Sequence, residues 1–239
     1  MNSERLRFEN LMRELRFPAY AIKRLDEMYK RPGEDFKLQC IGVGIAMPLD
    51  MTEILLTLNF KALNGDIGFD ATDYRAVIHH KASGQVRGHT FPIGENVTRN
   101  VDEAFALLDG RAVQRKEPNS LGIKTIWEQM DFTSRDNDDN YKIIQYSDFD
   151  FEKALARLPF IDHLSRDKIK ELRSQLTKGD LAPVELKNQQ VYLVANPSER
   201  TIIACTAEGI AIAHDHLKQK PTIADFVRRQ FTRKRGKGI

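Results

Sequence analysis

Residues 54–65 have the sequence ILLTLNFKALNG, and this stretch decides the fold class. The even-numbered positions from 54 to 60 are all apolar, which is the period of a strand with one buried face. Asn64 and Gly65 predict a tight hairpin turn, because both residues tolerate positive φ. The same period of two continues in both directions, so residues 36–89 are predicted to form an antiparallel meander.

Two short helices are predicted before this meander. In residues 3–16, apolar side chains recur at the i, i+3, i+4 and i+7 positions of a helix. A second helical stripe runs through residues 18–29 and stops before Pro32-Gly33. A helical hairpin is favoured over a DNA-binding helix-turn-helix, because the next segment is a strand rather than a third helix.

The order helix, glycine, strand, turn, strand occurs twice in the second half of the chain. Thr98 is the predicted N-cap of a helix that ends at Gly110, and Ser165 caps one that ends at Gly179. Two strands follow each helix. Two interpretations stay open: a weak internal repeat, or two ordinary αββ units.

The predicted fold class is therefore α+β, with antiparallel sheets and hairpins against which helices pack. Three parts are expected. They are a helical hairpin with a meander (1–97), an αββ-repeat part (98–213), and a basic C-terminal helix with its tail (214–239).

Candidate metal and catalytic sites are few. Residues 136–140 resemble the start of a calcium loop, but the sixth position is Tyr141 instead of Gly and the twelfth is Ser147 instead of Glu, so a polar turn is expected. Phosphate-loop, dinucleotide, nucleophile-elbow and zinc-protease motifs are missing from the sequence. The sequence therefore predicts no catalytic residue, no metal and no cofactor, and a protein that is not an enzyme.

Four of the six histidines form two close pairs. His79 and His80 are adjacent, so in a strand they point to opposite faces, whereas His214 and His216 could share a face. No array of further ligands joins either pair, and surface histidines are expected.

The two cysteines, Cys40 and Cys205, lie in apolar runs far apart, and buried free thiols are favoured over a disulfide. The longest mostly apolar stretch, residues 40–49, is too short to cross a bilayer. The N-terminus begins with a charged helical pattern rather than the apolar core of a signal peptide. The expected location is the cytoplasm.

Charge is distributed unevenly along the chain. The whole sequence has 37 Lys and Arg against 34 Asp and Glu, a net charge of +3. Residues 217–239 carry eight basic residues and one acidic residue, a net charge of +7, which leaves −4 on residues 1–216. The chain is thus a slightly acidic body with a strongly basic end.

The basic end is the candidate binding site for nucleic acid or for a protein partner. An apolar helical stripe is predicted there from Ile223 to Phe231, and the basic residues lie on and beyond it. Such a cluster attracts a polyphosphate without reading its bases. A solvated helix end, an acidic protein partner and an anionic membrane surface stay open as alternatives. The candidate residues are Arg228, Arg229, Arg233, Lys234, Arg235 and Lys237.

Several stretches within residues 103–195 form a recognisable set: LLDGRAV (107–113), WEQMDF (127–132), NYK (140–142), QY (145–146), FEKALARLP (151–159) and KG (178–179). With these stretches, the region resembles a domain family of unknown function from proteins of bacterial conjugative transposons and related mobile elements. Asp139 stands where that family tends to have Gly. The N-terminal strands and the Phe91–Gly110 segment resemble more loosely a companion module of the same proteins.

The resemblance implies a setting in a bacterial mobile element or phage, and a location in the bacterial cytoplasm or in a phage particle. It implies no catalytic residue. The leading hypothesis is a non-enzymatic accessory protein that contacts DNA or RNA through its basic end while the body binds proteins. The alternatives are a structural or assembly component that binds an acidic partner through the tail, and an enzyme with an interdomain site.

Overall fold

The computed structural model of the chain describes residues 3–28, 35–47, 49–62, 69–80, 83–94, 98–119, 122–186, 189–213 and 217. Within these residues the chain forms helices and three antiparallel sheets. The predicted α+β class is confirmed. Among the described residues, no helix has the length and apolar character that crossing a membrane would need.

Two helices and a four-stranded sheet, sheet A, come first along the chain. The helices are α1 (Ser3–Glu14) and α2 (Ala19–Met28). The strands are β1 (Asp35–Ala46), β2 (Asp50–Ala62), β3 (Phe69–His79) and β4 (Val86–Pro92). They pair in chain order, which makes β1 and β4 the edge strands. Both helices and the meander agree with the sequence prediction.

The later strands form sheets B and C. α3 (Val101–Leu108) precedes sheet B, and α4 (Phe151–Ala156) and α5 (Arg166–Thr177) precede sheet C. The strands of sheet B are β5 (Val113–Asn119), β6 (Gly122–Arg135) and β7 (Tyr141–Tyr146). The strands of sheet C are β8 (Ala182–Leu186), β9 (Gln189–Asn196), β10 (Thr201–Cys205) and β11 (Ala211–Ile212).

The inner face of sheet A forms one hydrophobic core with the helices. The even-numbered side chains of β2 from 54 to 60 are buried, as their period of two predicts. Met12 of α1 and Phe105 of α3 pack in the same core. Gly44 of β1 permits the close approach of α3, because a Cβ at this position would lie 2.7 Å from the Phe105 ring.

A second core lies between sheet B, α4, α5 and sheet C. Trp127 of β6 is 2% exposed and lies 5.2 Å, between ring centroids, from both Phe149 and Phe151. Leu172 of α5 and Leu193 of β9 belong to the same core. Burial of each such side chain contributes roughly 1.5–3 kcal/mol.

The N-cap of α3 differs from the prediction. The Asn100 side chain accepts a hydrogen bond from the Glu103 N–H at 3.0 Å, and the Glu103 carboxylate accepts one from the Asn100 N–H at 3.0 Å. This reciprocal pair fixes the start of the helix at Val101. Thr98 instead bonds to the backbone of Gly94, so the prediction of Thr98 as the N-cap was wrong.

The predicted αββ repeat is not confirmed, because sheet B has three strands and sheet C has four. The predicted part boundaries stay predictions, and α3 packs in the first core although it follows the predicted boundary at residue 97. The predicted turn at Asn64-Gly65 and the predicted helix after Pro221 lie outside the described residues. Cys40 and Cys205 are buried and are not joined by a disulfide, as predicted.

Candidate functional site

A three-residue turn, Asp109 to Arg111, lies where the three sheets meet. It ends α3 as a Schellman motif: the Gly110 N–H donates to the Leu107 carbonyl at 3.0 Å, and the Arg111 N–H donates to the Ala106 carbonyl at 2.8 Å. Gly110 has a φ of +91°, which glycine adopts without strain. The turn thereby directs two charged side chains into the protein interior.

Arg111 connects this turn to sheets A and C. Its guanidinium donates to the Gly179 carbonyl after α5 at 2.7 Å and to the Ile45 carbonyl of β1 at 3.3 Å. Its Nε lies 2.8 Å from a carboxylate oxygen of Asp109, and both side chains are almost fully buried. Removal of one partner from such a buried pair leaves an uncompensated charge, which is costly. Arg111 thus connects the residues before β5 to β1 and to the end of α5.

Asp109 is the acidic half of this pair. Its carboxylate also accepts the Met47 N–H at 3.3 Å. Burial raises the pKa of Asp109 to about 6, although Arg111 acts to lower it. His80 Nδ1 lies 3.7 Å from the carboxylate, and burial and the charge of Arg87 lower the pKa of His80. Both effects disfavour the protonated ring that an ion pair with Asp109 would need.

His80 corrects the expectation of surface histidines. Its exposed fraction is 7%, and its Nε2 has no hydrogen-bond partner within the described part of the chain. His79 is exposed, as expected. His214 and His216 lie outside the described residues. The described residues contain no group of three or more His, Cys, Asp or Glu side chains that could hold a metal ion.

The 136–140 segment is a turn between β6 and β7, as predicted. One oxygen of the Asp136 carboxylate accepts the N–H groups of Asp138 and Asn140, each at 2.9 Å. Asp139 has a φ of +60° and forms an ion pair with Arg135. These contacts use the acidic side chains to close the turn.

Beside the 109–111 turn, a cleft of about 550 Å³ runs along the outer edge of β1. We call it the β1 cleft. Its walls are formed by β1 and β2 of sheet A, by α3, and by the segment from the end of α5 to β9. Residues that represent these walls are Val43, Phe105, Asp180 and Tyr192, and Arg111 also lines the cleft. A volume of this size is within the range of ligand-binding clefts.

The edge of β1 carries backbone groups that point away from β2. In an antiparallel pair, alternate residues direct both N–H and C=O away from the neighbouring strand. Ile41 is such a residue, because its N–H and its carbonyl both bond to the Tyr20 hydroxyl, the latter at 2.8 Å. Tyr20 thus occupies the place of a further strand at that point.

Val43 shares the orientation of Ile41 and Ile45. The Ile45 carbonyl is bonded to Arg111, as described above. Between these two capped residues, none of the described residues bonds to the backbone of Val43. The side chain of Val43 is 59% exposed, and Met51 of β2, which pairs with Ile45, is 61% exposed. An edge strand with open backbone groups and exposed aliphatic side chains is a site for strand pairing.

The chain matches no protein-family model, no curated protein and no solved structure. The family resemblance therefore stays an expectation.

The residues that the sequence indicated as a binding site, Arg228 to Lys237, lie outside the described residues. No sequence pattern pointed to Tyr20, Val43 or Arg111 as part of a binding site. The sequence did contain one pattern that could have drawn attention to Arg111. Its Asp-Gly-Arg sequence at a helix end places charged residues on both sides of a C′ glycine.

Proposed function

We propose that this protein is a non-enzymatic adaptor that contacts nucleic acid through its basic C-terminal segment and binds a protein through its body. The observation that carries the proposal is the charge division: +7 on residues 217–239 and −4 on residues 1–216. Phosphate binding by clustered Lys and Arg requires no base recognition, so the contact is independent of nucleotide sequence.

The described body supports this assignment, because many of its arginines are engaged with carboxylates. Arg99 is buried and binds Glu128 through two nitrogens at 2.8 and 2.7 Å, and buried Arg111 pairs with Asp109. The other described arginines that pair with carboxylates are Arg13, Arg16, Arg115, Arg135, Arg173 and Arg200. By sequence, the excess of positive charge is concentrated in residues 217–239.

The resemblance to proteins of bacterial mobile elements supports a setting in such an element or a phage. The corresponding location is the bacterial cytoplasm or a phage particle.

The test is a comparison of binding to a short DNA duplex and to single-stranded RNA, measured by fluorescence anisotropy at 50 mM and 200 mM salt. We expect the full chain to lose about 10³-fold in affinity between the two salt concentrations. A chain that ends at Lys220 is expected to bind neither nucleic acid. Equal affinity of the two chains would contradict the proposal.

A matched pair of variants separates position from total charge. In the first, the six candidate residues Arg228, Arg229, Arg233, Lys234, Arg235 and Lys237 are changed to Gln. In the second, six exposed lysines of the body are changed to Gln: Lys116, Lys124, Lys142, Lys153, Lys170 and Lys178. Both lose the same charge, but only the first is expected to lose binding.

A second candidate function is an assembly component of a phage particle or transfer apparatus. The exposed aliphatic residues of β1 and β2 favour it, because such a surface suits a protein interface. A defined protein partner that stays bound after nuclease treatment, together with unchanged binding of the C-terminal variant, would support this function over the first.

A further inference from the structure

We infer that the β1 cleft binds an extended segment of a partner protein, which adds to sheet A as a further strand beside Val43. The segment would carry aliphatic side chains at alternate positions and a Lys or Arg. This inference rests on the part of the proposed function that assigns protein binding to the body, and it is independent of nucleic-acid binding.

The backbone supplies the first argument. Tyr20 and Arg111 cap Ile41 and Ile45 of β1, and Val43 lies between them with its N–H and C=O directed outward. In strand addition, main-chain hydrogen bonds of this kind hold the incoming segment. The distance from residue 41 to residue 45 in a strand is roughly 13 Å, so about four or five residues of a partner would fit along it.

The two faces of the open edge supply the second argument. On the outer side, Val43, Ile45 and Met51 are exposed aliphatic side chains. On the inner side, the β1 cleft is lined by Val101 and Phe105 of α3. Successive side chains of an added strand would point alternately to these two apolar surfaces, which selects aliphatic residues on both faces.

Charge supplies the third argument. Three carboxylates line the β1 cleft: Asp50, Asp102 and Asp180. Arg111 is already paired with Asp109, and Asp102 is paired with Arg16. Asp50 and Asp180 form no ion pair within the described part of the chain, so the lining is net negative and complementary to a basic side chain.

The shape of the cleft favours a single segment over a second copy of the chain. The open stretch of edge is short and lies between α3 and the strands of sheet C, represented by Pro183 and Tyr192. A second copy would have to place its own β1 between these walls. It would also bring Asp102 and Asp180 of both copies together, which is unfavourable.

The first experiment is selection of peptides from a displayed random library on the immobilised full-length protein. We expect the selected peptides to share alternating aliphatic residues and at least one Lys or Arg. In the best peptide, methylation of backbone nitrogens that face β1 should reduce affinity at least tenfold, whereas methylation of the alternate nitrogens should not. This readout needs no variant of the protein. Equal effects of both methylation patterns would refute strand addition.

The second experiment compares two Val→Pro variants in binding the same peptide. Val43→Pro removes the outward N–H at the proposed site, and a proline is tolerated on an edge strand when its nitrogen faces outward. Val86→Pro is the matched control on the opposite edge. Val86 shares the orientation of Thr90 in β4, whose N–H points away from β3 to Asn140. We expect at least tenfold weaker binding for Val43→Pro and an unchanged affinity for Val86→Pro.

The remaining outcomes are also decisive. Asp180→Asn should weaken the binding of peptides that contain a basic residue and leave the affinity for their neutral analogues unchanged. If the chain is a dimer that Val43→Pro dissociates, a second copy occupies the site and the inference is wrong. If the chain ending at Lys220 binds the peptide far more tightly than the full chain, the C-terminal segment of the protein itself occupies the site, and the inference is again wrong. If the full-length protein binds nucleic acid but selects no such peptide from the library, this inference alone is wrong.

Discussion

Replacement of Gly179 by Ala should destabilise the protein more than replacement of any glycine in an open turn. Gly179 follows α5 with a φ of +77°, and its carbonyl accepts the hydrogen bond from Arg111. A Cβ at this position would lie 2.8 Å from both Ala106 and Val113 and 3.0 Å from the Ala112 carbonyl. Two of these three contacts are with groups that have no flexible side chain to move aside.

The magnitude follows from two effects. A left-handed conformation costs an alanine roughly 1–2 kcal/mol relative to glycine. Steric overlap in a packed region adds about 1–3 kcal/mol. We therefore expect Gly179→Ala to lower the free energy of unfolding by about 2–5 kcal/mol.

Gly84→Ala is the matched control, because Gly84 has a φ of +67° and no atom lies within 4 Å of its added Cβ. Only the backbone effect applies there, and the entropy change of the unfolded chain is common to both variants. The assay is urea unfolding with a common slope, and the two variants should differ by about 1–3 kcal/mol. Equal destabilisation would refute the conclusion that α5 ends in close packing against the α3–β5 junction.

Two further predictions concern buried charges. Glu128→Gln removes the charge that pairs with buried Arg99 and should destabilise the protein by roughly 3 kcal/mol. In the same urea assay, Glu152→Gln should cost less than about 1 kcal/mol, because its partner Arg173 is exposed. Similar losses of unfolding free energy in the two variants would contradict the distinction between buried and exposed pairs. Burial lowers the pKa of His89 to about 4, so its neutral form stabilises the protein above pH 6.5, and this stabilisation is lost as the pH falls toward 4. Between pH 7 and pH 5, unfolding free energy should fall by about 2 kcal/mol more in the wild type than in His89→Gln, and parallel pH profiles would refute this.

Much of the fold follows from local patterns in the sequence. Three kinds of feature depend only on neighbouring residues, and the structure contains all of them. They are the period of two in residues 54–60, the helix stops at Gly110 and Gly179, and the Ser165 cap of α5. The cap at Asn100 was missed although its partner Glu103 stands three residues later, the spacing of a capping box.

The candidate site could not be predicted in the same way, because its contacts join distant parts of the chain. Arg111 contacts Ile45 and Gly179, and Tyr20 caps Ile41, all across long sequence separations. The burial of His80 was within reach: it continues the inward alternation of β3, two residues after buried Ile78.

The measurement that tests the central claim most directly is a bridging assay with the selected peptide on beads and a labelled DNA duplex in solution. The wild type and Val86→Pro should retain the DNA on the beads. Val43→Pro and the variant with the six C-terminal basic residues changed to Gln should not retain it, the first for lack of peptide binding and the second for lack of DNA binding. The adaptor function would be contradicted if either of these two variants retained as much DNA as the wild type. It would also be contradicted if the wild type bound the peptide and the DNA separately but retained no DNA on the beads.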